Sequence, residues 1–341
     1  MSATSEALHR KSVVIDGLVF FSDGNTRDML AGGVSAINLT VTEMSAGFEE
    51  ALRDAITWRE RALDPSGSWL LVQQAGDIAL AKQQGKLGLI MGWQNAKPLG
   101  DQVDRVKLFH TLGIRVIQLT YNEANLIGDG CLEKRNAGLS MLGVDMVKEM
   151  NRVGIAIDLS HCAPQTCLDA ARHSSKPVLL THANANAVIQ RPRNKSDDVI
   201  RAVADTGGVI GCSIHAYLLW RGQAGQRPTL EDFVANIKHI GNLVGYEHVG
   251  IGTDYPSVDT YEAVRHVMVM SRTKYAASGG DFSSAFGDVM EARYPEEIPT
   301  PVQFPRITQA LEEGGLTAAQ IEGVLGGNFQ RVFGEIWSAA Q

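Results

Sequence analysis

The feature that most constrains this chain is a rhythm. Short apolar, β-branched runs recur along it, each closing on a polar or glycine-bearing end and each followed by a segment of helical periodicity. The runs are VVIDGLVF (13–20), VSAINLTV (34–41), LGLIMGWQ (87–94), IRVIQLTY (114–121), IAIDLSH (155–161), PVLLTHA (177–183), GVIGCSI (208–214) and HVGIGTDY (248–255), eight in all. Helical segments fall at 44–63, 76–85, 101–112, 139–153, 164–174, 196–206 and 229–245. Strand–helix alternation implies a parallel sheet, because parallel neighbours need a crossover. Eight units fit a closed α/β (β/α)₈ TIM barrel, with a doubly wound open sheet as the alternative.

The 341 residues are read as a single barrel domain. After residue 255 the pattern loosens. Residues 256–305 read as an irregular insertion, with SRTKYAASGGDFSS (271–284) as loop and a proline-rich extended stretch at 295–305. Residues 306–341 read as C-terminal helices, Thr317 and Gln320 forming a capping pair.

Net charge is −7, which gives no basic face for nucleic acid or anionic lipid. The polar opening MSATSEALHRKS lacks the apolar core of a signal peptide, and no window approaches the roughly 18 apolar residues of a membrane span. Four cysteines without zinc-finger spacing read as reduced thiols, so the expected location is cytoplasmic.

Active sites of such barrels lie at the C-terminal ends of the strands. Here those ends carry Gln94, Tyr121 with Asn122, His161, His182, His215 and Asp254. Strict alternation puts His161 on a face with Ile155, Ile157 and Leu159, and His182 with Val178 and Leu180, as caps on stripes facing into the barrel. A lone strand-end histidine reads equally well as a ligand or as a hydrogen-bonded loop residue. Two on neighbouring strands, with an aspartate across the mouth, favour a site for zinc or a similar ion. One strand contradicts the pattern: VVIDGLVFF ends in Leu18, Val19, Phe20 and Phe21, where polar chemistry is expected.

GLSMLGVDMVKEMNRVGIAIDLSHCAPQT, KPVLLTHANANAV, RPRNKSDDVI, VGIGTDY and GGNFQRVF, in that order, resemble the membrane (renal-type) dipeptidases, a branch of the amidohydrolase-like barrels. The likeness covers about residues 13–335. It implies a (β/α)₈ hydrolase, often a homodimer, that cleaves dipeptides with two zinc ions. On that resemblance His161 and His182 hold one metal, Arg193 grips a substrate carboxylate, and Asp254 serves the water. The family's His-x-Asp at the first strand is Leu18 and Phe20 here, its bridging glutamate is Gln94, and its fourth-strand histidine is Tyr121.

Leucine and phenylalanine donate nothing to a metal, and a neutral amide bridges two dications poorly. The expectation is therefore at most one zinc, on His161, His182 and Gln94, or none. The catalytic residues would be Asp254, His182 and Tyr121, the last as an oxyanion donor. Arg193, Asn122, Leu18, Phe20 and Trp93 would contact a small carboxylate-bearing substrate. Three functions stay open: a mononuclear amide or C–N hydrolase, a metal-independent acid–base enzyme, and a non-catalytic binding protein.

Overall fold

The computed structural model describes residues 2–221, 226–264 and 293–338, so the expected loop at 271–284 lies outside the described residues. The strands are β1 (Ile15–Ser22), β2 (Ala36–Thr40), β3 (Trp69–Leu71), β4 (Leu87–Trp93), β5 (Ile114–Gln118), β6 (Ala156–Asp158), β7 (Val178–Leu180), β8 (Val209–Cys212), β9 (Val249–Ile251) and β10 (Tyr255–Ser257). They form one parallel sheet in the order β10-β1-β2-β4-β5-β6-β7-β8-β9. The last expected run is two short strands in one stave: β9 pairs with β8, and β10 pairs with β1. Residues 249–257 thereby join both edges of the sheet and close the barrel, as the eightfold rhythm requires.

The sequence pattern does not reveal β3, a three-residue strand beside the first half of β4. β5 takes over that edge from Met91 onward. A three-residue run is too short to show a period of two. Most helices match their expected spans, among them Phe48–Leu63, Met141–Val153, Pro164–His173 and Leu230–Val244. The Thr317–Gln320 capping pair is present, each side chain bonding the other residue's backbone N–H.

Two apolar layers divide the work. Ile157, Leu159, Val178 and Leu180 pack outward with helix residues such as Val147, Met150, Ala170 and Val203. The stripes expected inside the barrel are therefore its outer face. The interior floor is Ile15, Ala36, Ile90, Val116, Ala156, Leu179 and Val209, plugged by Phe329, Val332, Phe333 and Ile336 of the C-terminal helix Asn328–Trp337. Above Phe329 the interior is so tight that only glycine fits. A Cβ on Gly252 would lie 1.8 Å from the Thr181 carbonyl oxygen, and one on Gly17 would lie 2.6 Å from it.

Gly17 facing inward turns Asp16 away from the interior, and β1 bulges against β2 between Asp16 and Val19. Strict alternation along β1 would put Asp16, Leu18 and Phe20 on one face; the bulge separates Asp16 from the other two. Asp16 sits at the closing seam. It accepts the backbone N–H groups of Leu18 at 3.2 Å and Thr253 at 2.8 Å, and also the Thr253 hydroxyl. Phe20 and Phe21 pack with Val258, Val264 and Tyr261, so the apolar end of β1 is covered by the chain that follows β10.

Two outcomes follow from this packing. Phe329→Ala should cost about 3–5 kcal/mol in urea unfolding, since the fully buried ring leaves a cavity at the barrel floor; a loss below 1 kcal/mol contradicts the plug. Burial pushes the Asp16 carboxyl up to about 7 against its hydrogen bonds. A raised carboxyl stabilises the fold below its unfolded pKa of about 3.9, and that contribution fades as pH rises through about 7. Wild type should lose stability relative to Asp16→Asn between pH 4 and pH 7, with a constant difference above pH 8. Parallel curves would refute the assignment.

Candidate active site

β6 and β7 stop at Asp158 and Leu180, and their neighbours part above that level. The gap is held by side chains. Asp158 Oδ1 accepts the N–H of Ser160 at 3.0 Å, its hydroxyl at 2.6 Å and the Thr181 N–H at 3.0 Å; Oδ2 accepts the Thr181 hydroxyl at 2.7 Å. Ser160 Oγ in turn accepts the His182 N–H at 3.0 Å. A turn after β6 then brings His161 to the mouth, with its carbonyl accepting Cys131 N–H at 2.8 Å. Both histidines thus reach the site from beyond the strands, not from strand alternation.

His161 Nε2 and His182 Nε2 lie 3.1 Å apart, and both rings are buried. Tyr121 stacks on His161 at 4.1 Å between centroids, 21° from parallel. Burial first, and the Arg193 charge second, hold both imidazoles well below their ordinary pKa. The hydrogen bonds then assign the protons. The Thr181 hydroxyl gives its hydrogen to Asp158, so its oxygen accepts from His182 Nδ1 at 2.9 Å, leaving a lone pair on His182 Nε2. On the other ring, Nδ1 lies 2.7 Å from Asn122 Oδ1.

That Asn122 amide has two useful orientations, since its ends are alike in shape. With Oδ1 toward His161, two Nε2 lone pairs face one another and Asn122 Nδ2 is buried without a partner among the described residues. This arrangement needs a cation between the rings. Turned over, Nδ2 donates to His161 Nδ1 and His161 Nε2–H donates to His182, which satisfies both rings without one. The spacing also suits a metal, because two nitrogens on one tetrahedral zinc lie about 3.3 Å apart. Leu18 and Phe20 offer no donors for a second metal. No cluster of three or more His, Cys, Asp or Glu ligands occurs among the described residues.

Asp254 lies on the closing stave, half-buried, with φ of +61°. A non-glycine residue there is strained and must be held in place. Its N–H donates to Leu18 O at 3.0 Å and its carbonyl accepts the Tyr294 hydroxyl at 2.6 Å. Desolvation raises its carboxyl to about 7, against the pull of Arg193 and Arg293. Arg193 is buried, and its guanidinium donates to the carbonyls of Ser160 and His182. It has no carboxylate partner among the described residues. His215 is also nearby: burial, with Arg293 and Arg193, lowers its pKa to about 3, and Tyr294 meets its ring edge-on at 6.0 Å.

The remaining candidates divide. Gln94 is buried and its amide nitrogen donates to Thr40 Oγ1 at 3.0 Å, which leaves its oxygen for a ligand. Leu18 is buried beside the backbone of Asp254. Phe20 belongs to the small cluster already described. Trp93 is not at the mouth: its ring packs edge-on against Phe109 of an outer helix at 4.6 Å. Sequence reasoning missed Asp158, Thr181, Arg293 and Tyr294. The first two stand on apolar strands and read as core; the last two lie in a stretch without periodicity.

A parallel (β/α)₈ barrel with polar groups gathered at the strand C-termini has the layout of a TIM-barrel enzyme. Residues 28–270 match the membrane dipeptidase family (Peptidase family M19), and the chain belongs to that family. It is similar to an amidohydrolase from Pseudomonas aeruginosa, at 34% identity and a TM-score of 0.86, over 98% of this chain and 99% of that one. It also resembles, in fold, a metallo peptidase from Rhodobacter sphaeroides liganded with a phosphinate mimic of the dipeptide L-Ala-D-Ala, with 20% identity, a TM-score of 0.77, and coverage of 96% and 100%. Dipeptidase tcpJ of Claviceps purpurea is 27% identical over 272 residues, 79% of this chain and 56% of that protein. The chain spans about half the length of that relative.

The proton assignment is testable by ¹⁵N NMR of the imidazoles. Without metal, both rings should be neutral at pH 6, His161 carrying hydrogen on Nε2 and His182 on Nδ1. Added zinc should move the His161 hydrogen to Nδ1. An imidazolium signal from either ring at pH 6 would contradict the assignment.

Proposed function

We propose that this protein is a dipeptidase-like hydrolase, acting on an amide or related C–N bond of a small carboxylate-bearing compound at a one-metal site. The observation that carries the reading is a buried guanidinium without an acid partner among the described residues, beside two neutral imidazoles 3.1 Å apart. An uncompensated buried charge is costly, so a site built this way is completed by an anionic ligand. Guanidinium suits a carboxylate through its two-pronged donation.

His161 and His182 would hold a zinc ion, with Gln94 Oε1 as the further protein donor. Bound there, zinc would supply Lewis acidity at a carbonyl and a more acidic water. The chain's own residues supply the rest. Arg193 fixes the substrate by its carboxylate. Asp254, with its carboxyl near 7, is poised to take a proton and return it to the leaving nitrogen. Tyr121, anchored against His161, offers a hydroxyl toward a developing oxyanion. Leu18 occupies a place where a second metal would need a ligand. Four unpaired cysteines support a reducing, cytoplasmic setting, and the family's habit supports a homodimer. No helix among the described residues is long and apolar enough to cross a membrane.

The test is hydrolysis of a small dipeptide panel by zinc-loaded protein. Chelation should abolish turnover and zinc restore it. His182→Ala and Asp254→Asn should each lower kcat by about a hundredfold or more. Arg193→Gln should act mainly on KM. Turnover that ignores chelators, or no turnover on any dipeptide, would overturn the reading.

A further inference from the structure

Arg293 is the strongest group that the proposed mechanism leaves unused. It is half-buried and immediately precedes Tyr294, whose position is fixed on three sides. The Tyr294 hydroxyl donates to Asp254 O at 2.6 Å, its carbonyl accepts from Arg227 at 2.6 Å, and its ring lies 4.3 Å from that of Tyr255. The same ring meets His215 edge-on at 6.0 Å. The root of Arg293 is therefore held at the rim formed by Asp254 and His215. Its charge reaches both of those groups and Tyr294, so the guanidinium lies within electrostatic range of that rim.

No carboxylate lies within ion-pair reach of Arg293 among the described residues, and Asp254 pairs with neither it nor Arg193. A surface arginine in that state would be unremarkable. Here two guanidiniums without a carboxylate partner among the described residues act on one half-buried acid, and buried Lys195, bonded to Cys162 O at 2.6 Å, adds a third cation. One substrate carboxylate would neutralise Arg193 and leave the rim positive.

Building on the hydrolase reading, we propose that Arg293 is a second anion-binding residue of this site and that the substrate is dianionic. One carboxylate sits on Arg193 and another, on the same small molecule, on Arg293. A dipeptide or acyl amino acid with an acidic side chain belongs to this class.

Calorimetry on zinc-loaded protein with glutarate and butyrate tests this, because the two differ by one carboxylate. Glutarate should bind at least roughly tenfold more tightly to wild type, the size of one charge-assisted pair. Arg293→Gln should remove that preference, Arg293→Lys should keep part of it, and Arg193→Gln should weaken both ligands. An unchanged melting temperature confirms that the Arg293 variants fold. Equal affinities in wild type, or a preference that survives in Arg293→Gln, would overturn the proposal. Dipeptide turnover separates the two readings. Cleavage with no preference for acidic dipeptides would refute the role of Arg293 and leave the hydrolase reading intact. A glutarate preference lost in Arg293→Gln, without turnover of any dipeptide, would sustain the second anion site and sink the hydrolase.

Discussion

The site depends on one small clamp. Where β6 and β7 end, Asp158 gathers two backbone N–H groups and two hydroxyls from Ser160 and Thr181. Without it the parting strands would leave buried donors unpaired, at about 1–3 kcal/mol each. With it, His161 and His182 are set at one height and their Nε2 atoms meet. The barrel's seam uses the same device: Asp16 takes the N–H two residues ahead of it, and the N–H and hydroxyl of Thr253. One chemical solution thus both closes the barrel and builds the mouth.

Charge then selects what the mouth does. Arg193 and Lys195 are buried beside the histidines, and their fields add to burial in keeping both rings neutral. A neutral imidazole pair with converging nitrogens is a cation's partner or a shared-proton pair. Asn122 decides between them by which end of its amide it offers. The same positive surroundings support the anionic substrate proposed above. Asp254, held in a left-handed conformation, keeps a proton near neutrality because it is desolvated.

Much of this is legible in the sequence. The eightfold rhythm identifies the barrel; His161 and His182, read from strand ends, lie 3.1 Å apart at Nε2, and Arg193, which only the resemblance singles out, bonds the carbonyls of Ser160 and His182. What misled was alternation. The apolar stripes on β6 and β7 face the helices, and the histidines arrive by turns beyond the strands. Trp93 follows its stripe outward to Phe109. β1 departs from period two through a bulge, so the face of Asp16 could not be read from spacing. The apolar end VFF has its own explanation: Phe20 and Phe21 pack under residues 258–264. Neither Leu18 nor Phe20 can donate to a metal. Asp158 and Thr181 were illegible because a polar residue in a short buried strand has no sequence signature apart from its partners.

The central claim is that the two histidines converge on a single cation. Diffraction from zinc-soaked crystals, with anomalous data at the zinc edge, measures it most directly. The account predicts one peak, about 2.0–2.1 Å from both His161 Nε2 and His182 Nε2, and none beside Leu18 or Phe20. A second peak on the β1 side, or no peak between the histidines, would contradict it.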